Sequence, residues 1–305
     1  MSDIRIGISG WRYAPWRKNF YPKGLRQKDE LHFASRAVNS IEINGSFYGL
    51  QRPTSYARWY ADTPDNFIFS VKASRHITHE KRLRDIEQPL ANFFASGMFH
   101  LKEKLGPFLW QFPPSFTFDE TLFEEFLAQL PMTSDAAKTH AKHSDAAVQR
   151  EGYLDIPAKM PLRHAVEIRH DSFVDEAFIH LLRRYRVALV VADTAGRWPY
   201  LEDLTSEFVY MRLHGDEELY NSGYGKKALE RWYKRIRLWS QGRQPGDANL
   251  VVKEKDKARG GRDVYCYFDN TDKLFAPYDA RQLLEYFGLA DQLEAEPGKL
   301  TGAVA

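Results

Sequence analysis

Apolar and polar residues alternate through a series of short runs, clearest in Ser40-Ile41-Glu42-Ile43-Asn44, Ala165-Val166-Glu167-Ile168-Arg169-His170 and Val209-Tyr210-Met211-Arg212-Leu213-His214. In each run the apolar side chains fill one parity and the polar ones fill the other, the two-residue period of a strand. A buried parallel strand is ordinarily apolar on both faces. The polar parity therefore marks a shared inner surface carrying Glu42, Asn44, Glu167, Arg169, Arg212 and His214. β-Branched or aromatic runs at about 4–10, 40–47, 67–73, 107–112, 164–169, 187–193, 207–214 and 263–269 alternate with amphipathic segments at about 28–37, 53–61, 87–103, 119–130, 175–185, 226–241 and 279–287. This alternation predicts parallel strands joined by crossover helices. Eight strands in that order predict an α/β fold with one domain, a single (β/α)8 TIM-type barrel over residues 1–293. Residues 133–152 have little apolar periodicity and read as an exposed, partly helical insertion. The polar, small-residue tail over 294–305 reads as flexible. The turn Gly10-Trp11-Arg12-Tyr13-Ala14-Pro15-Trp16 after the first strand has neither a dinucleotide nor a P-loop fingerprint, which weakens the open-sheet alternative.

Composition changes this picture little. The 305 residues accommodate a barrel of ~250 residues with insertions. The net charge of +2 favours neither an anionic nor a cationic partner, because clustering matters more than the sum. One cysteine, Cys266, excludes an intramolecular disulfide and a cysteine-rich metal site. Its apolar surroundings predict a buried, unreactive thiol. No run approaches the ~18 consecutive apolar residues of a membrane span. The opening Met1-Ser2-Asp3-Ile4-Arg5 lacks a basic segment followed by an apolar one. The expectation is a cytoplasmic protein with no membrane contact.

Several motifs together resemble the YecE-like family, also known as domain of unknown function 72. They are Gly7-Ile8-Ser9-Gly10-Trp11 with Trp16 and Phe20-Tyr21-Pro22, Glu42-Ile43-Asn44-Gly45-Ser46-Phe47-Tyr48, Phe69-Ser70-Val71-Lys72-Ala73, Leu109-Trp110-Gln111-Phe112-Pro113-Pro114, Glu167-Ile168-Arg169, Tyr210-Met211-Arg212-Leu213-His214-Gly215 and Phe268-Asp269-Asn270. The resemblance spans nearly the whole chain. It implies a (β/α) barrel and no established activity. Ser46 stands where such proteins tend to have threonine, and Asp269 where asparagine is more usual, which changes the charge of the barrel mouth.

Parity assigns Ser9, Trp11, Glu42, Asn44, Ser70, Lys72, Gln111, Glu167, Arg169, Asp193, Arg212, His214 and Asn270 to the barrel interior or its upper rim. Most lie at the C-terminal ends of strands, where barrel enzymes place their sites. Isolated buried charges cost several kcal/mol, so these groups must pair, reach water or await a ligand. Three cations (Lys72, Arg169, Arg212) and three acids (Glu42, Glu167, Asp193) converge. The leading expectation is an enzyme (a hydrolase, lyase or isomerase) acting by acid–base chemistry on a phosphorylated sugar- or nucleotide-like anion. Glu42, Glu167, Asp193 and His214 would be catalytic, with His214 the proton-transfer group. Lys72, Arg169 and Arg212 would hold the anion, Asn44, Gln111 and Asn270 would orient it, and Trp11, Tyr48 and Tyr220 would line the rim. Replacing Arg212 or Glu167 is then expected to abolish binding and spare stability.

No cofactor is expected. A divalent metal on Glu42, Glu167, Asp193 and His214 is the runner-up chemistry, weakened by a single histidine of the right parity and by arginines that would repel a cation. One alternative function is nucleic-acid binding or repair, using basic loops such as His79-Glu80-Lys81-Arg82-Leu83-Arg84 and the rim aromatics. Another is a non-catalytic scaffold whose charges neutralise one another. No Gly-x-Ser-x-Gly elbow supports serine-hydrolase chemistry.

Overall fold

In a computed structural model, which describes residues 2–146, 148, 158–216, 223–253, 260–270 and 274–299, all eight anticipated strands form. They are β1 (Ile4–Ser9), β2 (Ser40–Ile43), β3 (Ile68–Lys72), β4 (Leu105–Gln111), β5 (His164–Glu167), β6 (Ala188–Asp193), β7 (Phe208–Leu213) and β8 (Asp263–Phe268). Each pairs in parallel with its sequence neighbour, and β8 pairs with β1, so the sheet closes in the order β1 to β8. The helices are α1 (Glu30–Ala37), α2 (Gly45–Tyr48), α3 (Pro53–Asp62), α4 (Glu87–Ala95), α5 (Glu120–Gln129), α6 (Ser134–Ala141), α7 (Glu176–Tyr185), α8 (Lys226–Ser240) and α9 (Ala276–Tyr286). Among the described residues, no helix is long and apolar enough to cross a membrane.

Strand parity divides the apolar core in two. Ile6, Ile8, Ile41, Ile43, Val71, Trp110, Val166, Met211 and Phe268 belong to the large layer between the strands and the helices. Leu109, Ala165, Ala188, Val190, Ala192, Phe208, Tyr210, Tyr265 and Tyr267 form a separate cluster of the opposite parity, inside the barrel. Helix α7 shows how a helix contributes. Asp175 caps its N-terminus by accepting from the Ala177 N–H, while Phe178, Ile179, Leu181 and Leu182 supply its buried stripe. Cys266 is fully buried in the outer layer, and burial raises its thiol pKa, consistent with an inert side chain.

Four local expectations change. Strand β2 ends at Ile43 rather than running to 47. Asn44 turns the chain into the single helical turn α2, and the Ser46 hydroxyl ties that turn to the Lys72 carbonyl at 2.6 Å. The helical pattern at 87–103 breaks at Gly97, which has φ +96° and is followed by a 3-10 segment from Met98 to Lys104. A Cβ at Gly97 would lie 2.7 Å from Pro53 at the start of α3. Gly97→Ala is therefore expected to destabilise the fold by about 1–3 kcal/mol, the usual cost of a non-glycine residue in strained backbone, measured by chemical denaturation.

Within the supposed insertion, α6 is a docked helix. Thr133 caps it, and Ala137 and Ala141 are buried. Asp145 then accepts from Gln88 and Asn92 on α4, at 2.6 and 2.7 Å. Two alanines are too weak an apolar signal to announce such packing. Residue 147 and residues 149–152 of the proposed insertion lie outside the described residues. The tail is docked as far as Lys299: the buried Ala295 donates its N–H to the Arg36 carbonyl, and Gly298 donates to that of Phe20. Residues 300–305 lie outside the described residues.

Candidate active site

The C-terminal end of the barrel collects ionisable groups from five strands. At the centre is the Arg212 guanidinium of β7, fully buried. It reaches Glu42 on β2 through Nε and Nη2 at 3.1 and 3.0 Å, Glu167 on β5 through Nη1 at 2.7 Å, and Asp269 just beyond β8 through Nη2 at 2.5 Å. Glu42 also accepts from the Tyr210 hydroxyl at 2.6 Å and from the Ser9 hydroxyl. Glu167 accepts from Gln111 at 3.0 Å and from Arg169, whose guanidinium stacks 3.9 Å above the Trp198 ring. One residue pair deeper, Ser40 and Ser70 share the Tyr267 hydroxyl at 2.7 Å each. That hydroxyl layer satisfies the lumen beneath the charges.

The electrostatics sort these groups by what each can do. Burial opposes ionisation of Glu167, but Arg212 and then Arg169 outweigh it, with a smaller pull from Lys72, and hold the carboxyl well below the usual range. It stays a carboxylate near neutrality. Burial, then Arg212, drives the His214 imidazole down to about 3. His214 is therefore neutral, and its approaches of 3.8 Å to Glu167 and 3.5 Å to Asp269 are not ion pairs. A neutral ring beside Arg212 is a hydrogen-bonding group rather than a proton store at pH 7.

Lys72 differs from both. It ends β3, is 8% exposed, and has its ammonium 4.2 Å from the Phe47 ring centroid. Burial and Arg212 lower its pKa to about 7 against the opposing pull of Glu167, Glu42 and Asp269. Among the described residues no carboxylate forms an ion pair with it within 4.0 Å. His79 is half-buried in the π-helical turn after β3, edge-on to Phe47 at 5.0 Å; burial, Lys72, Arg169 and Arg75 together lower it to about 4.

Glu42, Lys72, Gln111, Glu167, Arg169, Arg212 and His214 thus meet as the sequence pattern predicted, while the other candidates do not all join them. Asp193 has the parity of Leu189 and Val191, which face the helices, and its carboxylate accepts from Tyr224 at 3.2 Å. Burial raises its pKa to about 6. Asn270 is likewise one position out of phase; it donates to Asp279 of α9 at 3.0 Å, and Asp269 takes the inner position. Trp11 lies beyond the Gly10 turn and packs edge-on against Trp59 at 5.2 Å, within the outer core. Asn44 caps α2, and its buried side-chain oxygen has no hydrogen-bond partner among the described residues. Tyr48 is 74% exposed, at the edge of a groove beside the mouth. Tyr220 lies outside the described residues. Sequence reasoning missed Tyr210 as a partner of Glu42 and left Asp269 out of the site. The expected tolerance of the fold to loss of Arg212 is also at odds with its complete burial among three carboxylates.

The groove, of about 1080 Å³, is bordered by Arg75, Lys81 and Arg84 and by Glu80, Asp85, Glu87, Glu125 and Asp145. Its acids outnumber its lysines and arginines, an unfavourable field for a polyanion. Among the described residues no cluster of three or more His, Cys, Asp or Glu side chains is arranged to hold a metal. At the centre of the acids stands Arg212 instead.

A closed barrel of eight parallel strands, with ionisable groups from separate strands gathered at its C-terminal mouth, defines the class: a TIM-type (β/α)8 protein. The chain belongs to the family described as "Protein of unknown function DUF72", whose model matches residues 5–301. Among relatives, UPF0759 protein YunF of Bacillus subtilis is 29% identical over 118 residues, 37% of this chain and 41% of YunF. UPF0759 protein YecE of Escherichia coli K12 is 29% identical over 113 residues, 37% of this chain and 39% of YecE. These matches span about two fifths of either relative's length. A DUF72 family crystal structure from Thermotoga maritima superposes with a TM-score of 0.69 at 23% identity, covering 94% of this chain and 99% of that one. One from Enterococcus faecalis gives 0.64 at 18% identity, covering 94% and 96%. At these identities the structures speak for the fold.

Proposed function

We propose that the protein is an enzyme performing acid–base chemistry on a small anionic ligand, such as a phosphorylated sugar- or nucleotide-like compound, at the C-terminal mouth of the barrel. One observation carries this reading: Lys72, a buried amine with no carboxylate within ion-pair distance among the described residues, stands at a strand end beside carboxylates clamped by Arg212, and burial with Arg212 lowers its pKa to about 7. A proton-transfer group is most effective when its pKa lies near the working pH. Lys72 takes the role that the sequence pattern gave to His214. Arg169, planar and anchored on Trp198 and Glu167, supplies the fork suited to a phosphate or carboxylate, with Arg75 adding positive potential around His79. Glu42, Glu167 and Asp269, fixed by Arg212, set the field, and Gln111 orients the ligand.

Thermal unfolding with added inorganic phosphate tests the anion site. Phosphate at 100 times its Kd should stabilise the protein by about 2.7 kcal/mol. Arg169→Ala should weaken phosphate binding by about 1.5–3 kcal/mol, the worth of charge-assisted hydrogen bonds. Asp193→Asn, outside the cluster, should leave phosphate binding unchanged. An absence of stabilisation by phosphate, sugar phosphates and simple carboxylates would remove the reading. Tight, steeply salt-dependent binding of an oligonucleotide by fluorescence anisotropy would favour the nucleic-acid alternative instead.

A further inference from the structure

We infer that Lys72 is a covalent nucleophile: its side-chain amine condenses with the carbonyl carbon of an anionic aldehyde or ketone to form an imine. The inference rests on the anionic-ligand reading above and narrows its substrate class to carbonyl compounds.

The geometry distinguishes this lysine from a salt-bridged one. Its Nζ lies against the face of Phe47, among the described residues no carboxylate pairs with it within 4.0 Å, and its backbone is held by the Ser46 hydroxyl. Lysines are activated as nucleophiles when desolvated and placed near another cation. Both conditions hold here, because Lys72 is 8% exposed and feels the Arg212 charge. The charged and titratable groups of the cluster around it are Arg212 and Tyr210 from β7 and His214 just after it, Glu167 and Arg169 from β5 and its end, Glu42 from β2, Asp269 after β8, and Arg75 and His79 from the turn after β3.

The charge of the cluster fits a cationic adduct. With Lys72 as the free amine, Glu42, Glu167 and Asp269 carry three negative charges against two positive ones on Arg212 and Arg169, leaving one negative charge over. A protonated imine at Nζ would neutralise it. The same acids favour an ammonium at Nζ as much as a protonated imine, so the cluster accommodates the cationic adduct, while burial and Arg212 keep part of the amine neutral and ready to attack.

The step balances without an oxidant. The nitrogen lone pair forms the N–C bond as the carbonyl π pair moves to oxygen. An N–H proton passes to that oxygen through solvent, giving a carbinolamine. The C–O bond then breaks, the oxygen leaves as water with a second proton, and the nitrogen lone pair forms the C=N bond. Net, one free amine, one carbonyl and one solvent proton give one protonated imine and one water. The imine withdraws electrons from the neighbouring carbon, which is what C–C cleavage or proton removal at that carbon requires.

Reductive trapping on the full chain tests this. The protein is treated at pH 7 with sodium cyanoborohydride and either glyoxylate, an anionic aldehyde, or formaldehyde, an uncharged one. Labelled lysines are located and timed by peptide mass spectrometry. An ordinary lysine with a pKa of ~10.4 is a free amine in about four molecules per ten thousand at this pH, whereas an amine with a pKa of about 7 is about half free. Lys72 should therefore be labelled by glyoxylate at least about tenfold faster than the median lysine, with a rate that rises through pH 7. Arg169→Ala should slow glyoxylate by a larger factor than it slows formaldehyde. If Lys72 reacts no faster than surface lysines with either reagent, the inference is overturned, whatever the phosphate experiment shows. Fast reaction with formaldehyde alone would uphold the reactive amine and overturn the anion site.

Discussion

Arg212→Met should cost the fold about 3–5 kcal/mol, the penalty for removing one partner from a buried ion pair. Glu42 and Glu167 are both fully buried, and Asp269 is nearly so, with Arg212 bridging all three. Methionine fills much of the volume but leaves the carboxylates facing one another. Chemical denaturation of the single variant, compared with Arg212→Met combined with Glu42→Gln and Glu167→Gln, separates charge from packing: the triple variant should recover most of the loss. The pH dependence should invert as well. In the wild type, Glu167 is held below its ordinary range, so the native state binds fewer protons than the unfolded state. Its stabilisation is present above the unfolded carboxylate pKa of ~4.3 and lost as the pH falls through the folded value. Without Arg212, burial dominates, native carboxyls bind protons more readily, and stability should rise as the pH falls. If the single variant is as stable as wild type at pH 7, the three acids are not relying on this arginine.

Lys72→Met should stabilise the protein, most of all at and below neutral pH. The folded pKa of about 7 lies below the ordinary 10.5, so the native state holds fewer protons than the unfolded state between those values. Stability of the wild type therefore rises with pH through that window. Below about pH 7 the wild type bears the full cost of a buried ammonium, on the order of a few kcal/mol. The methionine variant should exceed it most at pH 6, with the gap closing steadily towards pH 10.5. The same substitution should abolish turnover and imine trapping. Stability and function would then pull in opposite directions at one residue, as expected where a group is kept for its chemistry. Equal stability curves for the two proteins across pH 6–10 would show that Lys72 titrates normally.

The barrel was legible because strand and helix periods alternate cleanly, and the central cluster because Glu42, Glu167 and Arg212 are polar residues set among apolar ones of the opposite parity. The errors fall where that signal fades. On β6 the inward side chains are Ala188, Val190 and Ala192, so no polar residue marks the inner parity and Asp193 attracted an assignment that belonged to its neighbour. At the end of β8, Asp269 and Asn270 are adjacent polar residues, and only counting from Tyr265 and Tyr267 selects Asp269. Trp11 follows Gly10, whose φ of +75° ends the strand's two-residue period before the tryptophan is reached. The role of His214 was beyond pattern altogether: complete burial next to a guanidinium decides its charge, and neither is written in spacing.

The partners of Arg212 lie 170, 45 and 57 positions away along the chain. A half-barrel ending before β7 would contain both glutamates without their common counter-ion, and one beginning at β7 would contain the arginine without them. Neither fragment could seal its interior at neutral pH, so assembly should resemble fastening a clasp: pieces cut between β5 and β7 would have to find each other before either became dry inside.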